Sequence, residues 1–364
     1  MTDAVERPGV RHLSALARRP RPAGSAAEEE ARRYAALTLS SLGFTIREER
    51  FEYSAFPGRF ATPLGGAMLG GAVATASLLA LAGRSNAAAA VLLAGVALTA
   101  LFARWMLGDG VLLVPWLRQT GVNLAAVRGG VEPTVWLVAH LDSKSQPVPS
   151  AARIAGIALL AIALLVAATA MVMTLRGIDA RTLWWGAVFL SVAGAIPVMA
   201  SVVDARSDGA VDNASGVATV LVAAALLGDG VACGVLLPSA EELGLAGARA
   251  WARDHARAIA LNCDGVDDEG RNLIMFNQRA PSRVLEALAA ASPAPLDVRR
   301  MPLGLLTDST ALAARGWQAV TVSRGSLATL RRVHTPQDSL ATLRGAAIDD
   351  VAVILARAAE ALAT

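Results

Sequence analysis

Apolar positions along this chain follow three rhythms. Residues 28–42 repeat at helical spacing through Tyr34, Leu37 and Leu42, with an acidic start and Gly43 just beyond, which predicts an amphipathic helix. Residues 44–53 (FTIREERFEY) alternate apolar with polar, the pattern of an edge-like strand. Residues 121–128 (GVNLAAVR) and 133–140 (PTVWLVAH) predict two more strands around a Gly129-Gly130 turn, and 231–237 (VACGVLL) predicts a strand buried on both faces. The third rhythm is no alternation at all. Residues 61–83, 85–103, 154–175 and 182–203 are uncharged, and each is long enough to cross about 30 Å of hydrocarbon at about 1.5 Å per residue. Little more than Arg84 separates the first two runs, and the loop 176–181 separates the others, so they predict two transmembrane hairpins. Trp105, Trp184 and Trp185 lie near span ends, where an amphipathic ring prefers the interface, and Pro63 and Pro197 are tolerable in membrane helices.

Two hairpins return the chain to the side it left. Residues 25–60, 108–150 and 204–364 can therefore assemble into one domain, interrupted by hairpins at 61–107 and 151–203. Residues 1–24 are rich in Arg and Pro without an apolar core, which predicts a loose tail and no signal peptide. The composition fits embedded segments, with 54% hydrophobic and 17% charged residues. Cys233 and Cys263 both fall in apolar strand-like runs, so no disulfide framework is indicated. The net charge of +3 comes almost wholly from arginine, Lys144 being the only lysine, and no aromatic-interleaved basic patch points to nucleic acid. Arg47, Arg50, Arg59, Arg104, Arg118, Lys144, Arg153 and Arg206 flank the spans on the domain side, against Arg84, Arg176 and Arg181 in the two short loops. The positive-inside rule then predicts a multi-pass plasma-membrane protein with its larger domain in the cytoplasm.

Candidate chemistry concentrates between Ser207 and Gly244. Asp212 and Asn213 precede the periodic apolar run Val217, Val220, Leu221, Ala224, Leu227, and the adjacent pair Glu241 and Glu242 follows the buried strand. Each feature has a plain structural reading, the first as a helix cap and the second as acids at a helix start. Three acids buried together would repel unless a cation sat among them, and a turn between the two glutamates would let one bind a metal while its neighbour faced the reacting water. His140 and Asp142 stand at the exit of another buried strand, where open α/β sheets place their ligands.

His140-Leu141-Asp142, Asp212-Asn213, Glu241-Glu242, Asp264 in ALNCDGV and His334 in VHTPQDS occur in this order, and together they resemble the M28 family of zinc metallopeptidases. The resemblance covers residues 25–60 and most of 120–364. It implies a three-layer α/β/α sandwich around a mixed sheet, two zinc ions and a peptide substrate. It further implies that His140 and Asp264 bind one zinc, that Glu242 and His334 bind the other, and that Asp212 bridges them. Glu241 would be the catalytic proton carrier, and Asp142 would fix the His140 ring. A cis peptide after Asp212 is a common family feature. The chain departs from the family at Thr307-Asp308-Ser309, where Ser-Asp-His is usual, and at Val333, where some family aminopeptidases carry an oxyanion-binding Tyr. Arg324, Arg331 and Arg332 are candidate partners for a substrate carboxylate, or solvated loop charges. His255 reads as a surface residue, and His12 belongs to the tail. The implied activity is that of a membrane-anchored aminopeptidase. Glutaminyl-cyclase-like acyl transfer, carboxypeptidase action and a non-catalytic membrane interaction protein are the alternatives.

Overall fold

In a computed structural model, residues 7–108, 110–128, 130, 132–302 and 304–363 are described. Gly129 of the expected turn and residues 1–6 of the expected tail lie outside them. The chain opens with helices α1 (Pro8–Leu16) and α2 (Ala26–Ser41) and strand β1 (Thr45–Ser54), then leaves for a long hairpin, α3 (Ala55–Leu81) and α4 (Ser85–Leu107). A short α5 (Gly110–Leu113) leads back into β2 (Arg118–Val127) and β3 (Val135–Val138), after which α6 (Ser150–Leu175) and α7 (Arg181–Met199) form the second hairpin. A kinked turn over Ala210–Ser215 then runs into α8 (Gly216–Leu226) and β4 (Cys233–Leu237), followed by α9 (Ala246–Asp254), β5 (Ile259–Val266) and β6 (Arg271–Phe276). The chain ends with α10 (Ser282–Ala291), β7 (Asp297–Arg300), α11 (Asp308–Ala314), β8 (Gln318–Gly325), α12 (Leu327–Arg332) and α13 (Ile348–Ala363).

The strands form one mixed eight-stranded sheet in the order β1-β2-β4-β3-β5-β8-β6-β7. Its centre, β4-β3-β5-β8, is parallel, and β1, as its alternating pattern predicts, lies at an edge. Side chains of β3 alternate between two cores. Val135 and Leu137 pack with α1, α2, α8, α10 and α13, whereas Trp136 and Val138 pack with α9 and α11. That is the three-layer α/β/α sandwich. Because the central strands run parallel, their carboxyl ends gather at one rim, and the segments leaving β3, β4 and β5 meet there.

The N-terminal stretch corrects the expectation of a loose tail. Residues 8–16 are helical, Leu13 and Leu16 are buried in the core, and His12 bonds Tyr34 through Nδ1 at 2.7 Å. The spacing of Val10, Leu13, Leu16 and Ala17 carries a helical signal within the Arg- and Pro-rich composition. Arg21, also buried, donates to the carbonyls of Leu16, Leu141, Asp208 and Gly209, so this segment pins two loops of the rim.

Among the described residues, four helices are long and apolar enough to cross a membrane. They pack as one bundle, with α3 against α4 and α7, and α7 against α6. Small residues permit this closeness, since a Cβ on Gly156 would lie 2.7 Å from the Gly194 carbonyl oxygen. Leu93, Leu101, Leu165 and Phe189 point outward with 64–72% of their surface exposed, as lipid-facing side chains would. α3 begins at Ala55 and α6 at Ser150, both earlier than the apolar runs predict. These helices therefore grow directly out of the domain.

Candidate metal centre

The six predicted site residues come together at the rim. His140 lies just past β3, Glu241 and Glu242 in the turn after β4, Asp264 near the end of β5, Asp212 in the turn before α8, and His334 after α12. Among the described residues, two groups could hold a metal ion, His140 with Glu241 and Asp264, and Asp212 with Glu242 and His334. The carboxylate of Asp212 faces both histidines, with Oδ1 3.1 Å from His140 Nε2 and Oδ2 2.9 Å from His334 Nε2. Asp264 Oδ1 stands 3.8 Å from His140 Nε2, Glu241 Oε2 4.0 Å from the same atom, and Glu242 Oε1 3.2 Å from His334 Nε2.

The local backbone explains how so many acids are held. The Asp212–Asn213 peptide is cis, the feature implied by the resemblance. Asn213 donates to the Cys263 carbonyl at 3.0 Å and accepts from the Gly216 and Gly265 N–H groups, tying the Asp212 turn to the end of β5. Asp338, in the VHTPQDS motif, accepts from the N–H groups of Val211 and Asp212. Asp142 touches both the His140 ring and the glutamate turn. His140 Nδ1 donates to its backbone carbonyl at 3.0 Å, while its carboxylate lies 3.7 Å from the ring and accepts from the N–H groups of Glu241 and Glu242 at 3.0 and 3.1 Å. A carboxylate with two backbone donors in reach is best satisfied there, so it orients the glutamate turn.

Electrostatics follow from crowding. Burial would lower the pKa of His140, but Glu241, Asp142, Asp212 and Asp264 outweigh it and lift the pKa well above the usual value. Burial also raises Glu241 well above the carboxylate range, opposed by His140 and reinforced by Glu242, Asp308 and Asp264. Asp308, completely buried, is pushed up to about 8, chiefly by burial. It adjoins the site, and both its oxygens lack a hydrogen-bond partner. Burial of Glu242 is outweighed by Lys144 and His334, which bring its carboxyl down to about 2. Nε2 of both His140 and His334 and Oε1 of Glu242 are buried without hydrogen-bond partners. Unsatisfied nitrogen and oxygen donors converging among repelling carboxylates fit a cation, and the mixed His and carboxylate set suits zinc.

Other predicted residues lie elsewhere or are engaged. His255 stacks on Trp251 and reaches Glu49. Arg332 pairs with Asp267, and Arg324 bonds Asn272. Sequence reasoning misses Lys144, whose Nζ lies 2.5 Å from Glu242 Oε2. It reads as a span-flanking charge, and the available signal is its singularity in an arginine-rich chain. A cavity of about 210 Å³ opens beside Glu242, lined by Arg59, Asp142, Lys144, Asp204 and Leu243 among others.

The sequence model of peptidase family M28 matches residues 123–359. No curated protein matches significantly. Among solved structures the fold is similar to an aminopeptidase from Aneurinibacillus sp. (17% identity, covering 96% of this chain and 92% of that one, TM-score 0.55). It is also similar to a Zn-dependent exopeptidase from Parabacteroides distasonis (12% identity, 97% of each chain, TM-score 0.57). A glutaminyl cyclase from Fimbriiglobus ruber shares the fold as well (14% identity, 98% and 95%, TM-score 0.55).

Proposed function

This chain belongs to peptidase family M28, and from that membership we propose a membrane-anchored exopeptidase using two zinc ions, most simply an aminopeptidase that trims N-terminal residues from peptides. The observation that carries it is the pair of adjoining donor groups, each with its own histidine whose Nε2 is buried and without a hydrogen-bond partner, and the Asp212 carboxylate that faces both histidines. His140 and Asp264 would hold one zinc, Glu242 and His334 the other, and Asp212 both. Zinc bound there would polarise the scissile carbonyl and lower the pKa of the attacking water.

The chain's own residues do the rest. Glu241, which burial makes a stronger proton acceptor, would take the proton from water as the carboxylate and then, in its protonated form, pass that proton to the leaving amine. Asp142 fixes the direction of both glutamates through their backbone, and Lys144 keeps Glu242 ionised. Val333, buried and apolar, offers no side-chain donor to an oxyanion, so that charge falls to the metal centre. The cavity beside Glu242 is walled in part by Arg59 on α3 and by Val203 and Asp204 just beyond α7, so the apolar hairpins reach its edge. The excess of arginine at the domain ends of the spans supports a cytoplasmic active site.

Glu241→Gln tests the reading. Hydrolysis of an aminoacyl chromogenic peptide should fall about 10³-fold while zinc content stays at the wild-type value. Retained hydrolysis would remove Glu241 from the mechanism, and lost zinc would make it a ligand. The fold shared with glutaminyl cyclases supplies a second reading, acyl transfer on a single zinc. Measured zinc stoichiometry, with free against blocked N-termini as substrates, separates the two.

A further inference from the structure

His140 and His334 are oriented by different parts of the molecule. To offer Nε2 to a metal, a neutral histidine carries its proton on Nδ1, and whatever accepts that proton fixes tautomer and ring together. At His140 the acceptor is the Asp142 carbonyl, two residues along the same loop. At His334 the partner is Ser150 Oγ, 2.8 Å from Nδ1, and Ser150 is the first residue of α6. Both side chains are buried.

We propose that Ser150, carried by a membrane-spanning helix, is a positioning residue for His334, which makes the second hairpin a structural part of the metal centre. Three further features support it. First, the cap position of α6 is taken by Pro149, so Ser150 stands inside the first turn and its hydroxyl meets His334. Second, the same segment grips the histidine's backbone, with Gln146 N–H donating to the His334 carbonyl at 2.7 Å. Third, one turn on from Ser150, Arg153 Nη1 donates to Gln146 Oε1 at 3.2 Å, bracing that loop against the helix. The segment from Gln146 to Arg153 thus cradles His334 from outside the peptidase sheet. A histidine χ2 is broad and nearly two-fold, so without the hydroxyl nothing on this side selects the ring flip that aims Nε2 at Asp212 and Glu242.

This inference rests on the zinc reading of the site, and its test separates the two. Full-length protein in detergent is stripped with a chelator and retitrated with zinc against a chromophoric competitor. Wild type should take up two ions. Ser150→Ala should keep one at wild-type affinity and bind the other about 10-fold to 100-fold more weakly. Ser150→Thr, which keeps the hydroxyl, should restore the second. Alanine suits a helix start and no cap bond is lost, so the variant is expected to fold. Two ions at unchanged affinity in Ser150→Ala would overturn the proposal while leaving the zinc reading intact. A threonine variant as weak as the alanine one would also overturn it, by assigning the loss to the helix start. No zinc uptake by wild type would overturn both.

Discussion

The two donor groups are chemically alike and mechanically unlike. His140, Glu241 and Asp264 stand on segments leaving β3, β4 and β5, and the ring of His140 is held within its own loop. Glu242 and His334 lean on residues where the chain enters the second apolar hairpin, Lys144 against the carboxylate and Ser150 against the ring. One half of the site is braced by the sheet, which is rigid because its strands are paired and buried. The other half borrows its support from the second hairpin. In a fold that accepts insertions between strands, an inserted segment can become a strut for the chemistry beside it.

Asp212 is where this contrast should break down, because its two oxygens face one histidine each. Asp212→Asn removes a charge and one anionic donor from both halves. Zinc uptake should fall in both, and hydrolysis should fall to background in a peptide-release assay. If one ion were retained at wild-type affinity, the groups would not share a wall. A step down in size is Asp142→Asn. An amide offers one acceptor oxygen, so only one of the Glu241 and Glu242 N–H groups keeps its partner. The turn should loosen by a fraction of an ångström, with kcat reduced about 10²-fold and zinc uptake nearly unchanged. Loss of kcat and zinc in proportion would show that Asp142 supports the ligands and not the proton carrier.

The legibility of these halves differs in the same way. His140, Asp212, Glu241 and Glu242 are readable because each stands beside a strand or helix whose apolar rhythm announces it, whereas Asp264 and His334 stand out only through motifs that resemble the M28 family. Sheet order is not readable: β6 and β7 carry no clear pattern, being short and half exposed in arginine-bearing stretches. The N-terminal helix is hidden by its composition, and the role of Arg21 is set by four carbonyls brought together only in three dimensions. Lys144 and Ser150 fail to stand out because the same residue types serve equally well as a flanking charge and as the start of an apolar helix. Local sequence cannot say which distant ligand a hydroxyl meets 184 positions away.

The smallest effect, and the one most specific to the borrowed half, concerns Lys144. Its side chain is only 13% exposed and its partner Glu242 4%, so the pair is desolvated and each charge depends on the other. Lys144→Met keeps the stem and removes the charge. Burial, which disfavours the ionised Glu242, then acts without its strongest opposing charge, and the carboxyl, held down at about 2 in the wild type, titrates higher. Protons compete better with zinc for that oxygen as pH falls. The second ion should bind about tenfold more weakly near neutrality, with the deficit widening towards acid pH, while the His140 half keeps its wild-type pH profile. Zinc retention measured across a pH series reads this directly. Equal loss from both halves would mean that Lys144 acts through the general field of the cleft, and the mechanical division between the two halves would then have no electrostatic counterpart.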